Sequence, residues 1–191
     1  MNPKELLTKF DEYLVSVGHS EKIELILCGG AVIFLSFDAT RVTLDVDTLT
    51  ALELHLKTKV TDFARYMNLQ GALVPNDWLN DTVATRIRVG DSLKVGWVER
   101  ARATSPLLWG KVHEVYGICR EDLITSKVLA YYFDFPTMKI SRHGVDLGDL
   151  VTMKSSVAEI VAIEAHLAKM AEIELDAMVA FLAKNVYPSL S

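Results

Sequence analysis

The chain has 191 residues, of which half are hydrophobic and 8% aromatic, with a formal net charge of −5 and two cysteines. Such a length and composition describe a folded protein with a sizeable core and exclude a disordered chain. They also exclude a disulfide framework and a membrane span of roughly 18–20 apolar residues, and they argue against an obligate nucleic-acid binder.

The start, Met1-Asn2-Pro3-Lys4-Glu5, is too polar for a secretory signal, so a cytoplasmic location without membrane partners is expected. Asn2-Pro3 reads as a cap with proline at the first helical position. Leu6, Leu7, Phe10, Tyr13, Leu14 and Val17 then keep a helical stripe until Gly18 closes the element. His19 sits in the turn with no histidine partner expected.

Ile23 to Leu27 is an apolar run that predicts a buried strand, and it leads into Gly29-Gly30. Ala31 to Phe37 predicts a short helix opening behind those glycines, where free N–H groups and the positive dipole end suit a phosphate. Leu44 to Leu49 alternates, placing Asp45 and Asp47 on one side. Two residues of strand span roughly 6.6 Å, so both carboxylates can serve a pair of metal ions about 3.5–4 Å apart. An isolated Asp-x-Asp more often marks a solvated strand face.

Ala51 to Asn68 predicts a helix with Leu52, Leu56, Val60, Phe63 and Met67 inward and His55 on its flank. Asp77-Trp78-Leu79-Asn80-Asp81 begins a new element after the break at Gly71 to Pro75. Thr85–Val89 and Leu93–Ala101 alternate and predict two strands around Gly90-Asp91, and Val112 to Cys119 predicts a third carrying Glu114. Half of the twenty Lys and Arg fall between residues 81 and 145, a zone suited to a nucleotide or RNA backbone or simply to solvent. Arg120 to Tyr132 predicts a helix whose stripe of Leu123, Ile124, Val128 and Tyr131 includes Lys127, a lysine that would ordinarily snorkel to water. Asp146 and Asp149 share one face if their segment is helical. Ser156-Val157-Ala158-Glu159 is a capping box, and helices with an acidic polar face, Glu164 included, run on to Tyr187. Cys28 and Cys119 are expected to be buried free thiols.

Gly29-Gly30, a short helix and then Arg41-x-Thr43-x-Asp45-x-Asp47 resemble the nucleotidyltransferase superfamily with the DNA polymerase β-like fold. The nearest likeness is the AbiEii/MenT-like toxin group and its sister domains of unassigned function. Lys127 followed by Arg142, Asp146 and Asp149 resembles a second signature of that group, although Val145 stands where a basic residue is usual. The resemblance covers roughly residues 20–150. It implies an α+β fold, a mixed sheet flanked by helices, with a nucleotidyltransferase-like domain over 1–150 and a helical C-terminal extension over 151–191.

It further implies that Asp45 and Asp47 hold two Mg²⁺ ions, that Gly29 and Gly30 admit the phosphates of an NTP, and that Lys127 neutralises the triphosphate. Arg41 and Thr43 would brace the loop, and Asp146 or Glu114 could act on the acceptor. The acceptor would be a tRNA-like RNA end or a protein hydroxyl, and a cognate antitoxin would be a partner. Other chemistry finds no support. The five histidines make no zinc spacing, no Gly-x-Ser-x-Gly elbow occurs, and no third glycine completes a dinucleotide motif. The alternative is an inert protein on the same fold that works through nucleotide or protein binding.

Overall fold

A computed structural model describes all residues except 39, 41–42, 84–90, 135–139, 168, 170–174 and 191. The chain forms two compact units, Met1–Cys119 and Arg120–Ser191. The first holds the sheet and the second is helical, which gives the α+β class that the sequence implies.

In the first unit the elements are α1 (Pro3–Ser16), β1 (Ile23–Cys28), α2 (Gly29–Ser36), β2 (Val46–Thr48), α3 (Leu54–Leu69), β3 (Leu79–Asn80), α4 (Asp91–Arg102), β4 (Leu108–Trp109) and β5 (His113–Gly117). The strands form one mixed sheet in the order β3-β2-β1-β5-β4. β1 is central, parallel to β5 and antiparallel to β2, and Leu25, Ile26 and Leu27 are completely buried. Residues paired across strands share a face. Glu24, Ile26, Cys28, Asp47, Asn80, Glu114 and Tyr116 therefore lie on one face, and Leu27, Thr48, Val115 and Gly117 on the other. A side chain at Gly117 would run into Val32 of α2, so α2 packs on the second face.

α1 and α3 form where their apolar stripes predict them. Asn2 accepts the Glu5 N–H at 2.9 Å, and Glu5 accepts the Asn2 N–H at 3.0 Å, a reciprocal box at the start of α1. Gly18 ends that helix with φ +76, and the His19 N–H reaches back to the Leu14 carbonyl at 2.9 Å. Leu56, Val60, Phe63 and Met67 of α3 are buried, and Phe10, Phe63 and Trp78 meet with ring centroids 5.3–5.4 Å apart.

Residues 93–101, expected as a strand, belong to α4. Trp97 and Ala101, one helical turn apart, are buried while Glu99 between them is exposed, whereas on a strand all three would share one face. The expected strand at 85–89 lies outside the described residues. His19 also differs from expectation, because its ring stacks on His55 at 6.3 Å.

Asp11 of α1 holds the turn between β4 and β5. Its carboxylate accepts the N–H groups of Lys111, Val112 and His113 at 2.7, 2.9 and 3.1 Å. Burial alone would raise the Asp11 pKa, yet these amides and the nearby His113 hold it below the usual carboxylate value. Burial pushes the His113 imidazole down, toward the neutral form. Both folded values lie below the unfolded ones, so both groups bind more protons unfolded, and their contributions are present at higher pH and lost on acidification. The His113 contribution begins to fall as pH drops through about 6.5, and that of Asp11 falls below about 4. Asp11→Asn is expected to cost about 2 kcal/mol at pH 7, read from urea denaturation, and to flatten the acid limb of the stability profile.

The second unit comprises α5 (Arg120–Asp134), α6 (Ile140–Thr152), α7 (Val157–Leu167), α8 (Leu175–Asn185) and α9 (Tyr187–Leu190). Its Ser156–Glu159 capping box forms, with the Ser156 N–H donated to Glu159 at 2.7 Å and the Glu159 N–H donated to Ser156 at 3.2 Å. Glu164, expected on an acidic outer face, is instead buried and accepts the Tyr187 hydroxyl at 2.7 Å. Burial first, and that carboxylate second, push the Tyr187 phenol well up. No described helix is long and apolar enough to cross a membrane.

Candidate functional site

β1 delivers the chain to a sharp turn. Cys28 is its last residue and keeps extended dihedrals, with φ −136 and ψ −175, before α2 begins at Gly29. Gly29 has φ +67, a left-handed conformation that side chains rarely adopt. The first turn of α2 has no side-chain cap among the described residues. Its leading N–H groups, those of Gly29, Gly30 and Ala31, have no carbonyl partner within the helix. The positive end of the helix dipole adds to them.

Antiparallel pairing sets Asp47 opposite Cys28, and the Cys28 thiol donates to the Asp47 carbonyl at 3.6 Å. The Asp47 side chain, half-buried, then lies over the turn. A Cβ on Gly29 would stand 2.8 Å from Asp47 Oδ2, so only glycine leaves this carboxylate its place. Conformation and space thus both require glycine at position 29.

Asp45 is exposed and immediately precedes β2. Its backbone is braced by Thr43, whose hydroxyl donates to the Asp45 carbonyl and accepts the Asp45 N–H, both at 3.2 Å. Arg41, expected to share that task, lies outside the described residues. β2 spans only Val46–Thr48, shorter than the alternation from Leu44 suggested.

The Asp47 carboxylate at the start of α2, with Asp45 two residues before it, offers the oxygen ligands that a hard divalent cation takes. Mg²⁺ takes one or two protein carboxylates and fills its octahedron with water and substrate phosphate oxygens. Among the described residues no group of three or more His, Cys, Asp or Glu side chains is placed to hold a metal ion.

A second cluster lies within the helical unit. Lys127 of α5, between Ile124 and Val128 in the buried stripe, is itself buried and does not snorkel. Its ammonium donates to Asp146 Oδ1 and contacts Asp149 Oδ2, each at 2.7 Å. Burial alone would lower the lysine pKa, but the two carboxylates more than offset it and hold the ammonium above its ordinary value. Asp146 and Asp149 reach one ammonium because they stand three residues apart on α6. The i, i+3 spacing of Asp146 and Asp149 signals that the two can share one partner.

Glu114 is separated from Asp47. It lies on β5 beside Tyr116, which donates its hydroxyl to it at 3.1 Å. Its β1 partner Glu24 is four residues before Cys28, the partner of Asp47, and β5 is two strands from β2. At about 3.3 Å per residue and 4.8 Å per strand the two backbones are about 16 Å apart, too far to share one cation.

Residues 4–157 match a family model described as "Nucleotidyltransferase of unknown function (DUF6036)". The chain belongs to the DUF6036 family. The match places this DUF6036 protein in the nucleotidyltransferase superfamily that Gly29-Gly30 and Asp45-x-Asp47 suggested, and it includes Lys127, Asp146 and Asp149. The helices α7, apart from its first residue, α8 and α9 of the DUF6036 chain lie beyond it. No curated protein and no solved structure matches the chain significantly.

Proposed function

We propose that this DUF6036 protein is a Mg²⁺-dependent nucleotidyltransferase of the AbiEii/MenT-like kind, acting as a toxin or defence component. It would move a nucleotidyl group from an NTP to a tRNA-like RNA end or a protein hydroxyl. The observation that supports this most is the Asp47 carboxylate poised over Gly29, where helix amides and acid oxygens meet. A cognate antitoxin is the protein partner that this reading implies.

In the proposed reaction the acceptor hydroxyl oxygen forms a bond to the α-phosphorus. The bond from that phosphorus to the bridging oxygen breaks, and pyrophosphate leaves with the electron pair. Asp45 and Asp47 would be the ligands for two Mg²⁺ ions. When bound, these supply Lewis-acid polarisation and charge neutralisation at the triphosphate. The amides of Gly29 and Gly30 bind the β- and γ-phosphates, because no side chain keeps them at a distance. Lys127 offsets the charge that accumulates as pyrophosphate departs. Asp146, already an acceptor toward Lys127, is the candidate to receive the acceptor proton.

The experiment is a melting curve with Mg²⁺ and each NTP, followed by incubation of labelled NTP with bulk RNA. A nucleotide at one hundred times its dissociation constant is expected to stabilise the fold by about 2.7 kcal/mol. Asp47→Asn is expected to remove that gain and to leave the unliganded melting temperature nearly unchanged. Melting curves indifferent to all four NTPs would instead favour an inert protein that works through partners.

A further inference from the structure

β2 is held to β1 by only two ladder pairs, Leu27 with Thr48 and Cys28 with Asp47. Beyond them the strands are tied by side chains. Thr48, fully buried, donates its hydroxyl to the Ile26 carbonyl at 3.0 Å and accepts the Thr50 N–H at 3.1 Å. The Thr50 hydroxyl accepts the Ile26 N–H at 3.0 Å, and the Leu49 N–H joins the Ile26 carbonyl at 2.8 Å. Both backbone polar groups of Ile26 therefore end on residues 48–50, and the Thr48 hydroxyl uses its donor and an acceptor position in doing so.

So short a strand offers few ladder bonds to hold its register on β1, and a slip of one residue would exchange its faces. Val46 or Thr48 would then stand opposite Cys28, and no carboxylate would lie over Gly29. We infer that Thr48 is a positioning residue for Asp47. Its hydroxyl, together with Thr50, clasps Ile26 and fixes the register that sets the Asp47 carboxylate over the Gly29 turn. This rests on the nucleotide-site reading for its functional consequence, and on the hydrogen bonds alone for its structural one.

Thr48→Val keeps the shape and removes the hydroxyl, whereas Thr48→Ser keeps the hydroxyl. Two measurements separate a positioning role from a merely structural one, both made well below the melting temperature of each variant. The first is the affinity for Mg²⁺ with ATP, GTP, CTP or UTP by calorimetry. Thr48→Val is expected to weaken it roughly 10–100-fold, the loss typical when a residue orienting a metal ligand is removed, and Thr48→Ser to restore it. The second needs no ligand. The Cys28 thiol is buried beneath the Asp47 carbonyl, so in a Cys119→Ser background its rate of labelling by a thiol reagent reports whether β2 keeps its place. Thr48→Val is expected to speed that labelling by an order of magnitude, and Thr48→Ser to leave it slow.

Equal protection of Cys28 in Thr48→Val, or unchanged nucleotide affinity in a wild type that binds, would overturn the inference. Should the wild type bind no NTP, the functional reading fails and the Cys28 rates alone decide the clasp. If Thr48→Val does not fold, Thr50→Val removes the other half of the clasp at a half-buried position and carries the same expectations.

Discussion

Gly29→Ala is expected to abolish the nucleotide-dependent gain in melting temperature and any nucleotidyl transfer. The backbone there has φ +67, and holding an L-residue in that region costs about 1–2 kcal/mol. The larger effect is local. The new methyl would stand 2.8 Å from Asp47 Oδ2, so the carboxylate must swing away or the turn must open. Either movement separates the acid oxygens from the first amides of α2. Urea denaturation should register the modest stability loss, and thermal shift with Mg²⁺ and NTP the complete functional one. An alanine variant that still responds to nucleotide would show that the turn is not where phosphate binds.

Lys127 gives the largest expected change in stability. Its ammonium lies 2.7 Å from both Asp146 and Asp149 in surroundings from which water is largely excluded. Lys127→Ala removes that cation from two carboxylates, and breaking a buried pair in this way costs about 3–5 kcal/mol. Linkage supplies a second check. The folded lysine pKa is raised, so the pairing contributes fully below the unfolded value near 10.4 and is lost as pH rises through the folded value. Wild-type stability should therefore fall on alkaline titration more steeply than that of Lys127→Met, which has no ammonium to titrate. For function, Lys127→Ala is expected to abolish transfer while sparing Mg²⁺ binding at Asp45 and Asp47. Retained transfer at a temperature where the variant is folded would refute its proposed role.

The parts that were legible in the sequence are those set by local pattern. The apolar run before Gly29, the alternation through Asp47 and the stripe around Lys127 each express one element's own period. The strand expected at Leu93–Ala101 shows where pattern misleads. Leu93, Val95 and Trp97 mimic alternation, but burying Trp97 and Ala101 while leaving Glu99 exposed takes a helix. Some contacts between distant residues carry no signal in the sequence. Arg102 donates from two nitrogens to Glu24, at 2.9 and 2.6 Å, and Asp11 reaches amides on the far side of the first unit's sequence. Nothing in either neighbourhood announces its partner. The same holds for Thr48, which reads as an ordinary strand residue until Ile26 is placed beside it. Glu164 reads as solvated because it is charged, yet it shares a helix face with the buried Ile160 and Leu167, and the Tyr187 hydroxyl supplies its partner.

The pairing of β1 with β5 has a consequence for how the protein comes into being. Ile23 pairs with His113 and Leu27 with Gly117, so the central ladder joins segments separated by about ninety residues, a large loop to close before any pairing rewards it. The Asp11 carboxylate likewise waits for amides a hundred residues further on. During synthesis the glycine turn and both aspartates leave the ribosome early, while one edge of β1 still lacks its partner. The apolar strand remains open to chaperones or to false pairing throughout that interval. A chain cut short before β5 would thus carry the complete Gly29 to Asp47 motif without the sheet that gives it shape.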